Sequence, residues 1–267
     1  MVALSLDPVR NLADHGYLRS RAHPIETECQ LILQKCNEHS LEDQRRIDLP
    51  NRFDIKFVLP VTILPELLQR FATTHTVLKD SGHGVFTYEN TYFDTPLWNL
   101  YKQHHNGKLN RFKYRHRHYL ETDIAFLEIK QKTNKRRTLK RRIPWRCTHP
   151  IDLPNVNFSL EAKLYINYRR ITLWHHETGE RLTLDFDILY QRLASKKKVE
   201  MPSIMIAEVK HANYAKSSAF VKEMKVLRYY PQSISKYCVG VCLTDDGCLK
   251  YNRFKRLMSK LKQYSTP

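Results

Sequence analysis

Eight short runs between Arg52 and Lys210 alternate apolar and polar residues, and this two-residue period constrains the fold more than any other feature of the chain. They are RFDIKFVL (52–59), FTYENTYFDT (86–95), RFKYRHRHYL (111–120), IAFLEIKQK (124–132), TLKRRIPW (138–145), LYINYRRITLWH (164–175), RLTLDFDILY (181–190) and PSIMIAEVK (202–210). Successive side chains of an extended chain point to opposite faces, so each run carries two distinct faces. Several of the gaps are turn-sized, such as 175–180, and even spacing of short strands implies an antiparallel sheet or barrel.

Helical periodicity interrupts this pattern in a few places. ILPELLQRF gathers Leu64, Leu67, Leu68 and Phe71 on one face, AFVKEMKVL gathers Phe220, Met224 and Leu227, and SISKYCVGVCL reads as a further short helix. The expected class is α+β with β dominant. Residues 1–46 form an N-terminal extension containing the amphipathic run ETECQLILQKCNEHS, 47–250 the main domain, and 251–267 a basic C-terminal helix. That last helix sets Phe254, Leu257, Met258 and Leu261 among Arg253, Lys255, Arg256, Lys260 and Lys262. It either docks on its own domain with a solvated basic face or offers a peripheral contact to an anionic membrane surface.

Composition narrows the partner. With 45 Lys+Arg against 27 Asp+Glu the net charge is +18, which calls for an anion: nucleic acid, an acidic membrane, or phosphate-rich small molecules. No run of about 18 apolar residues exists and the N-terminus lacks a signal-peptide pattern, so a cytoplasmic protein without a transmembrane segment is expected. The six cysteines form no CxxC pair and no zinc-like cluster with histidine, and read as free thiols.

Sorting each run by parity places the charge. Arg52, Asp54 and Lys56 oppose Phe53, Ile55 and Phe57; Glu128, Lys130 and Lys132 oppose Leu127 and Ile129. Arg181, Thr183, Asp185 and Asp187 oppose Leu182, Leu184, Phe186 and Ile188, while Glu208 and Lys210 oppose Ala207 and Val209. In RFKYRHRHY the cationic parity is Arg111, Lys113, Arg115 and Arg117, and Lys140, Arg142 and Arg169 are assigned to the same face. Alternation ordinarily means a solvated outer face. Here the polar parity is mostly Arg and Lys with isolated carboxylates, and so many cations on one face repel each other unless an anionic guest sits among them. A barrel with its charged faces inward and its apolar faces against helices satisfies this pattern.

The ordered series Arg52-x-Asp54-x-Lys56, TYFDT (91–95), RFKYRHRHY, FLEIKQK, LYINYRR, RLTLDFD, AEVK and ISKYCVG resembles the VTC domain, the catalytic domain of polyphosphate polymerases within the triphosphate tunnel metalloenzyme (CYTH-like) superfamily. The resemblance implies a closed antiparallel barrel forming a basic tunnel, ATP and inorganic polyphosphate as partners, and a divalent metal, Mn²⁺ or Mg²⁺. Transfer of the γ-phosphoryl group of ATP to phosphate or polyphosphate, releasing ADP, is the implied reaction. By position Arg115 and Arg117 match paired tunnel arginines, and Lys130 and Lys140 tunnel lysines. Arg169 matches a strand arginine, Glu208 the metal-binding glutamate and Lys236 a lysine near the tunnel end.

On this basis Lys130, Arg115, Arg117 and Glu208 are the expected catalytic residues. Lys56, Lys113, Arg115, Arg117, Lys130, Lys140, Arg169, Lys210 and Lys236 are expected to bind phosphate, and Glu208 to hold the metal, with Asp185 and Glu128 as second-choice ligands. Tyr92 and Asp94 are expected to orient a basic neighbour. A hydrolase that cleaves triphosphate or a nucleotide, and a non-catalytic polyphosphate-binding module, are the competing readings. Asp54 stands where the family usually carries Glu, one methylene shorter in its reach to a metal, and the replacement of an E-x-E-x-K first strand by Arg52-x-Asp54-x-Lys56, with fewer metal-binding acids and more cations, disfavours the hydrolase. No aromatic stripe for base stacking is apparent on the cationic parity, so no nucleic acid partner is expected. His104, His105, His116, His118, His175 and His176 read as surface or packing residues. KTNKRRTLKRR (132–142) resembles a nucleic-acid or nuclear-import patch but spans a predicted hairpin.

Overall fold

The structure, a computed structural model, describes residues 3–4, 24–46, 53–135, 138–145, 151–152, 158–211 and 218–265. Arg52 and Cys147 lie outside them. In chain order the main elements are α1 (Pro24–Gln34), β1 (Phe53–Pro60), α2 (Leu64–Phe71), β2 (Phe86–Asp94) and α3 (Asn99–His105). Next come β3 (Arg111–Tyr119), β4 (Ile124–Lys132), β5 (Thr138–Pro144), β6 (Glu161–His175), β7 (Glu180–Arg192), β8 (Lys198–Met201) and β9 (Ile204–His211). Three helices end the chain: α4 (Ala219–Val226), α5 (Lys236–Thr244) and α6 (Lys255–Ser265). Each of the eight alternating runs contains a strand. The unexpected helix is α3, whose polar sequence NLYKQHH lacks strong periodicity and which is held by a carboxylate described below.

The strands form one antiparallel path in the order β1-β9-β7-β6-β2-β3-β4-β5, with β8 added beside β7. The expected closed barrel is not formed: no ladder joins β1 to β5 among the described residues. The physical reason lies in β5. Its residues Thr138–Arg142 are exposed and include Lys140, Arg141 and Arg142, a charged edge that resists pairing with another strand.

Two cores cover the outside of this sheet. Leu182, Leu184, Phe186, Ala207, Val209, Phe57 and Leu59 face α1, α2 and α4, meeting Cys29, Leu33, Leu64, Leu67, Leu68, Phe71, Phe220 and Met224. Burying one such side chain contributes roughly 1.5–3 kcal/mol. A smaller cluster of Phe93, Leu100, Tyr114, Leu127 and Trp145 seats α3 against β2, β3 and β4. The apolar parity therefore points outward onto helices.

The inner face is divided along its length. One end is apolar and filled by α5 and α6: Leu164, Ile166, Ile188, Tyr190, Ile204 and Ile206 meet Tyr237, Cys238, Val239, Val241, Leu257 and Leu261. Close approach of α5 depends on Gly240, where a Cβ would lie 2.5 Å from Tyr190 Cδ1 and 2.7 Å from Leu164 Cδ2. Ser235 caps α5, its Oγ accepting the Cys238 N–H at 3.4 Å. Because Leu257 and Leu261 are buried in this core, the apolar stripe of α6 is spent on its own domain, and only its basic face remains for an anionic surface. No helix among the described residues is long and apolar enough to cross a membrane.

Candidate anion site

Strand register stacks the cations of RFKYRHRHY against those of the next two strands. Lys113 pairs with Lys130, and Lys130 with Lys140; Arg115 pairs with Glu128, and Glu128 with Arg142. At the other end of the path Lys56 lies across from Glu208, Glu208 from Thr183, and Lys210 from Arg181. The sheet curls enough for these two walls to sense one another: Lys210 and Lys56, and then Lys130 of β4, outweigh burial and hold Glu208 on β9 well below the usual carboxylate range, while burial, and to a smaller extent Lys56 of β1, lowers Lys113 on β3. The N-terminus of α5 enters the concave face between them. Lys113 Nζ donates to Ser235 Oγ at 2.9 Å, and Lys236 pairs with Asp185.

Three carboxylates sit among the cations. Glu128, wholly buried, receives Arg115 Nε at 2.7 Å, Arg142 Nε at 2.8 Å and Lys140 Nζ at 2.5 Å, so both its oxygens are engaged. Burial opposes its charge, but Arg115, Arg117, Lys140 and Lys130 outweigh burial and hold it well below the usual carboxylate range. Asp185 is likewise buried and takes Arg170 Nη2 at 2.7 Å together with Lys236; burial is again outweighed, and its pKa falls to about 2. Glu208 differs. It binds Lys210 at 2.6 Å and Lys56 at 3.3 Å, both through Oε1.

Several cations have no carboxylate of their own. Arg117 donates from Nε to Asn90 Oδ1 at 2.8 Å and from Nη2 to the Tyr168 hydroxyl at 2.6 Å, both neutral groups, with its guanidinium 4.9 Å from the Tyr88 ring centroid. Lys113 has the Ser235 hydroxyl. Lys130 makes no hydrogen bond or ion pair among the described residues. Arg115, burial, and then Lys140 and Arg117 drive its ammonium well below the usual lysine range, with Glu128 opposing. Burial, opposed chiefly by their carboxylate partners, lowers Lys140 to about 7 and Lys210 to about 8. At Lys130 the largest cause is the like charge of Arg115, so positive charge is in excess around it, whereas at Lys140 and Lys210 burial is the larger cause.

The donor set also tests a divalent cation. Mg²⁺ or Mn²⁺ bound with phosphates needs one or two carboxylate oxygens, the remaining positions being water and phosphate. The second-choice ligands Asp185 and Glu128 do not fit, because both oxygens of each are bound to cations. Glu208 fits, since its Oε2 carries no bond among the described residues. No group of three or more His, Cys, Asp or Glu able to cage a metal occurs among the described residues.

Two parity assignments are corrected. Arg169 points away from the anion site, pairing with Glu26 of α1 and, at 3.5 Å, with Asp187; its neighbour Arg170 takes the inward position. On β6 the inner face begins with apolar Leu164 and Ile166, which meet α5, so "apolar" does not mean "outward" on that strand. Asp187 leaves the charged face because the β6–β7 register shifts between Asn167 and Arg169 and Asp187 takes a left-handed φ of 51°. Sequence reasoning also missed Asn90 and Tyr168, which hold Arg117. Tyr88, Tyr92, Tyr168 and Tyr119 share the inner face with the cations, so aromatic rings are present on it after all, the first three being buried.

Within TYFDT the two expected roles separate. The Tyr92 hydroxyl accepts Arg115 Nη1 at 2.9 Å. Asp94 touches no cation among the described residues; it accepts the backbone N–H groups of Leu100 and Tyr101, each at 2.8 Å, and the Tyr237 hydroxyl, fixing α3 and α5 together. His116 is buried, its Nε2 3.3 Å from the Trp145 carbonyl, and His118 lies 2.8 Å from Asp123. In the stretch 132–142 Lys132 of β4 pairs with Thr138 of β5, as a hairpin there requires, while residues 136 and 137 lie outside the described residues.

Comparison with known proteins gives the following. The VTC domain profile matches residues 51–153 and 151–244. No curated protein matches the chain. Similar solved structures include a protein from Hippeastrum described as a candidate adenylyl cyclase with a dominant triphosphatase activity, 14% identical, covering 74% of this chain and 99% of its own at TM-score 0.45. A Pyrococcus horikoshii protein is 12% identical, covering 72% and 96% at TM-score 0.42. A candidate adenylate cyclase from Vibrio parahaemolyticus is 14% identical, covering 71% and 97% at TM-score 0.42.

Proposed function

The chain belongs to the VTC domain family, and from that premise we propose that it is a polyphosphate polymerase acting on ATP. The observation that carries this reading is the row of cations without carboxylate partners, Lys113, Lys130 and Arg117, beside Arg115 and Lys140 on one concave face. A triphosphate laid along that row receives point charges from the lysines and planar forks from the arginines. Lys236 and Arg170 extend the same wall on the side of α5.

Phosphoryl transfer needs positioning and charge neutralisation rather than a protein nucleophile. A terminal oxygen of phosphate or polyphosphate forms the new bond to the γ-phosphorus, the bond from that phosphorus to the β–γ bridging oxygen breaks, and ADP leaves with the electron pair. Lys130 and Arg117 neutralise the equatorial oxygens, with Arg115 and Lys140 held in register by Glu128. A divalent cation held at Glu208 supplies further neutralisation of phosphate oxygens when bound. Burial of Arg115 and Arg117, at 9% and 5% exposure, keeps water from screening these charges.

The test is to incubate the pure protein with ATP and Mn²⁺ and resolve product length on a gel. Chains longer than triphosphate are expected; release of phosphate with no chain growth overturns the polymerase reading.

A further inference from the structure

The inner face changes character along β3, β4 and β5. Same-face rows read Lys113–Lys130–Lys140, then Arg115–Glu128–Arg142, then Arg117–Phe126–Pro144, then Tyr119–Ile124. Cations thus give way to rings at the β3–β4 hairpin end. Arg117 meets these rings but is buried, its Cζ 5.8 Å from the Tyr119 ring centroid; the exposed cation beside them is Arg142. Its Cζ lies 5.5 Å from the Phe126 ring centroid, its Nε is fixed at 2.8 Å on Glu128, and its Nη2 donates to the Tyr119 hydroxyl at 3.2 Å. Tyr119 in turn meets Phe126 edge to face, with ring centroids 6.2 Å apart.

A guanidinium braced on three sides in this way has little rotational freedom left to lose. Its side chain nevertheless remains 46% exposed and its Nη1 has no partner among the described residues. A chain of phosphates gains nothing from Phe126, Pro144 or Ile124. A planar, uncharged group joined to a triphosphate gains from stacking on Arg142, as bases do on arginine and aromatic platforms. Phe126 stands four residues along β4 from Lys130, about 13 Å of strand, a span that fits a triphosphate and its ribose between the two.

We propose that Arg142, supported by Phe126 and Tyr119, is the platform for the nucleobase of the donor nucleotide. This rests on the phosphate-binding reading above and extends it: the site distinguishes a nucleoside triphosphate from inorganic triphosphate. Stacking reads the π-face and not the base edge, so purine donors bind more tightly than pyrimidine donors without strict base identity.

The experiment compares ATP with inorganic tripolyphosphate by titration calorimetry on the wild-type protein, Arg142→Lys and Phe126→Leu. The lysine keeps the charge and loses the plane; the leucine keeps apolar bulk and loses the ring. Wild type is expected to bind ATP more tightly than tripolyphosphate. Each variant is expected to lose about tenfold for ATP, the lower range of base stacking, with tripolyphosphate affinity changed less than about twofold. Equal losses for both ligands, or no loss for ATP, overturn the platform. Wild type binding both ligands equally also overturns it while leaving the phosphate site standing; binding neither removes the phosphate site, and the platform with it. Melting temperatures verify folding, and if Arg142→Lys unfolds, Phe126→Leu carries the same comparison.

Discussion

Glu128 and Glu208 stand on opposite walls of one concave face, and they behave differently. Glu128 is wholly buried and surrounded by Arg115, Lys140 and Arg142, with every lone pair directed at a cation; Glu208 holds Lys56 and Lys210 through a single oxygen and keeps 17% of its side chain exposed. The first is a brace, setting the angle at which two arginines and a lysine are presented. The second has an oxygen to offer. Carboxylate identity is the same, so the difference comes from how many cations the register brings within reach.

Removing the brace has the largest expected effect. Glu128→Ala leaves Arg115, Lys140 and Arg142 crowded without their counter-ion, and loss of a buried partner costs about 3–5 kcal/mol; a urea melt reads this directly, and an unchanged midpoint would break the comparison. Glu208→Gln is expected to cost less stability than Glu128→Ala, its side chain and those of Lys56 and Lys210 being 12–27% exposed while Glu128 is wholly buried. Metal-dependent turnover should nevertheless fall roughly 100-fold, a loss typical of removing one charge-stabilising group. Equal Mn²⁺ dependence in the variant and wild type would remove the metal role.

Lys130→Met sharpens the contrast from the other side. Deleting a cation without a partner relieves repulsion from Arg115, so the ligand-free protein should melt higher, while tripolyphosphate affinity drops roughly 10-fold for one lost charge-assisted contact. A fall in both would show that Lys130 is structural.

The smallest effect is on pH dependence. In the ligand-free site burial lowers the Lys140 ammonium to about 7 and that of Lys210 to about 8. Below these values both are charged and anion binding takes up no proton from them. As pH rises through them, binding must reprotonate lysines that the empty site has released, so affinity should weaken by roughly a few-fold between pH 7 and 9. Calorimetry in buffers of different ionisation heat measures the proton uptake, and a flat profile would contradict it.

Much of this molecule was legible in the sequence because a strand's period is two and turns are short. The eight runs, the antiparallel pairing of β4 with β5, the helices at 64–71 and 219–226, and the cationic parity of RFKYRHRHY follow from local rules that neighbours do not overrule. α3 was not legible. Its folding depends on Asp94 capping the Leu100 and Tyr101 N–H groups from another element. Nor was Arg170, since β6 presents apolar Leu164 and Ile166 inward to α5 and a bulge at Asp187 resets its partner strand.

By itself, then, the sequence determined which residues alternate, how much positive charge they carry and that this charge demands an anion. Only the tertiary structure decided which carboxylates are consumed as braces, which cations are left without one, and that the first and last strands stay apart. Those outcomes depend on cross-strand register and on where α5 enters the concave face, and both bring together residues far apart along the chain.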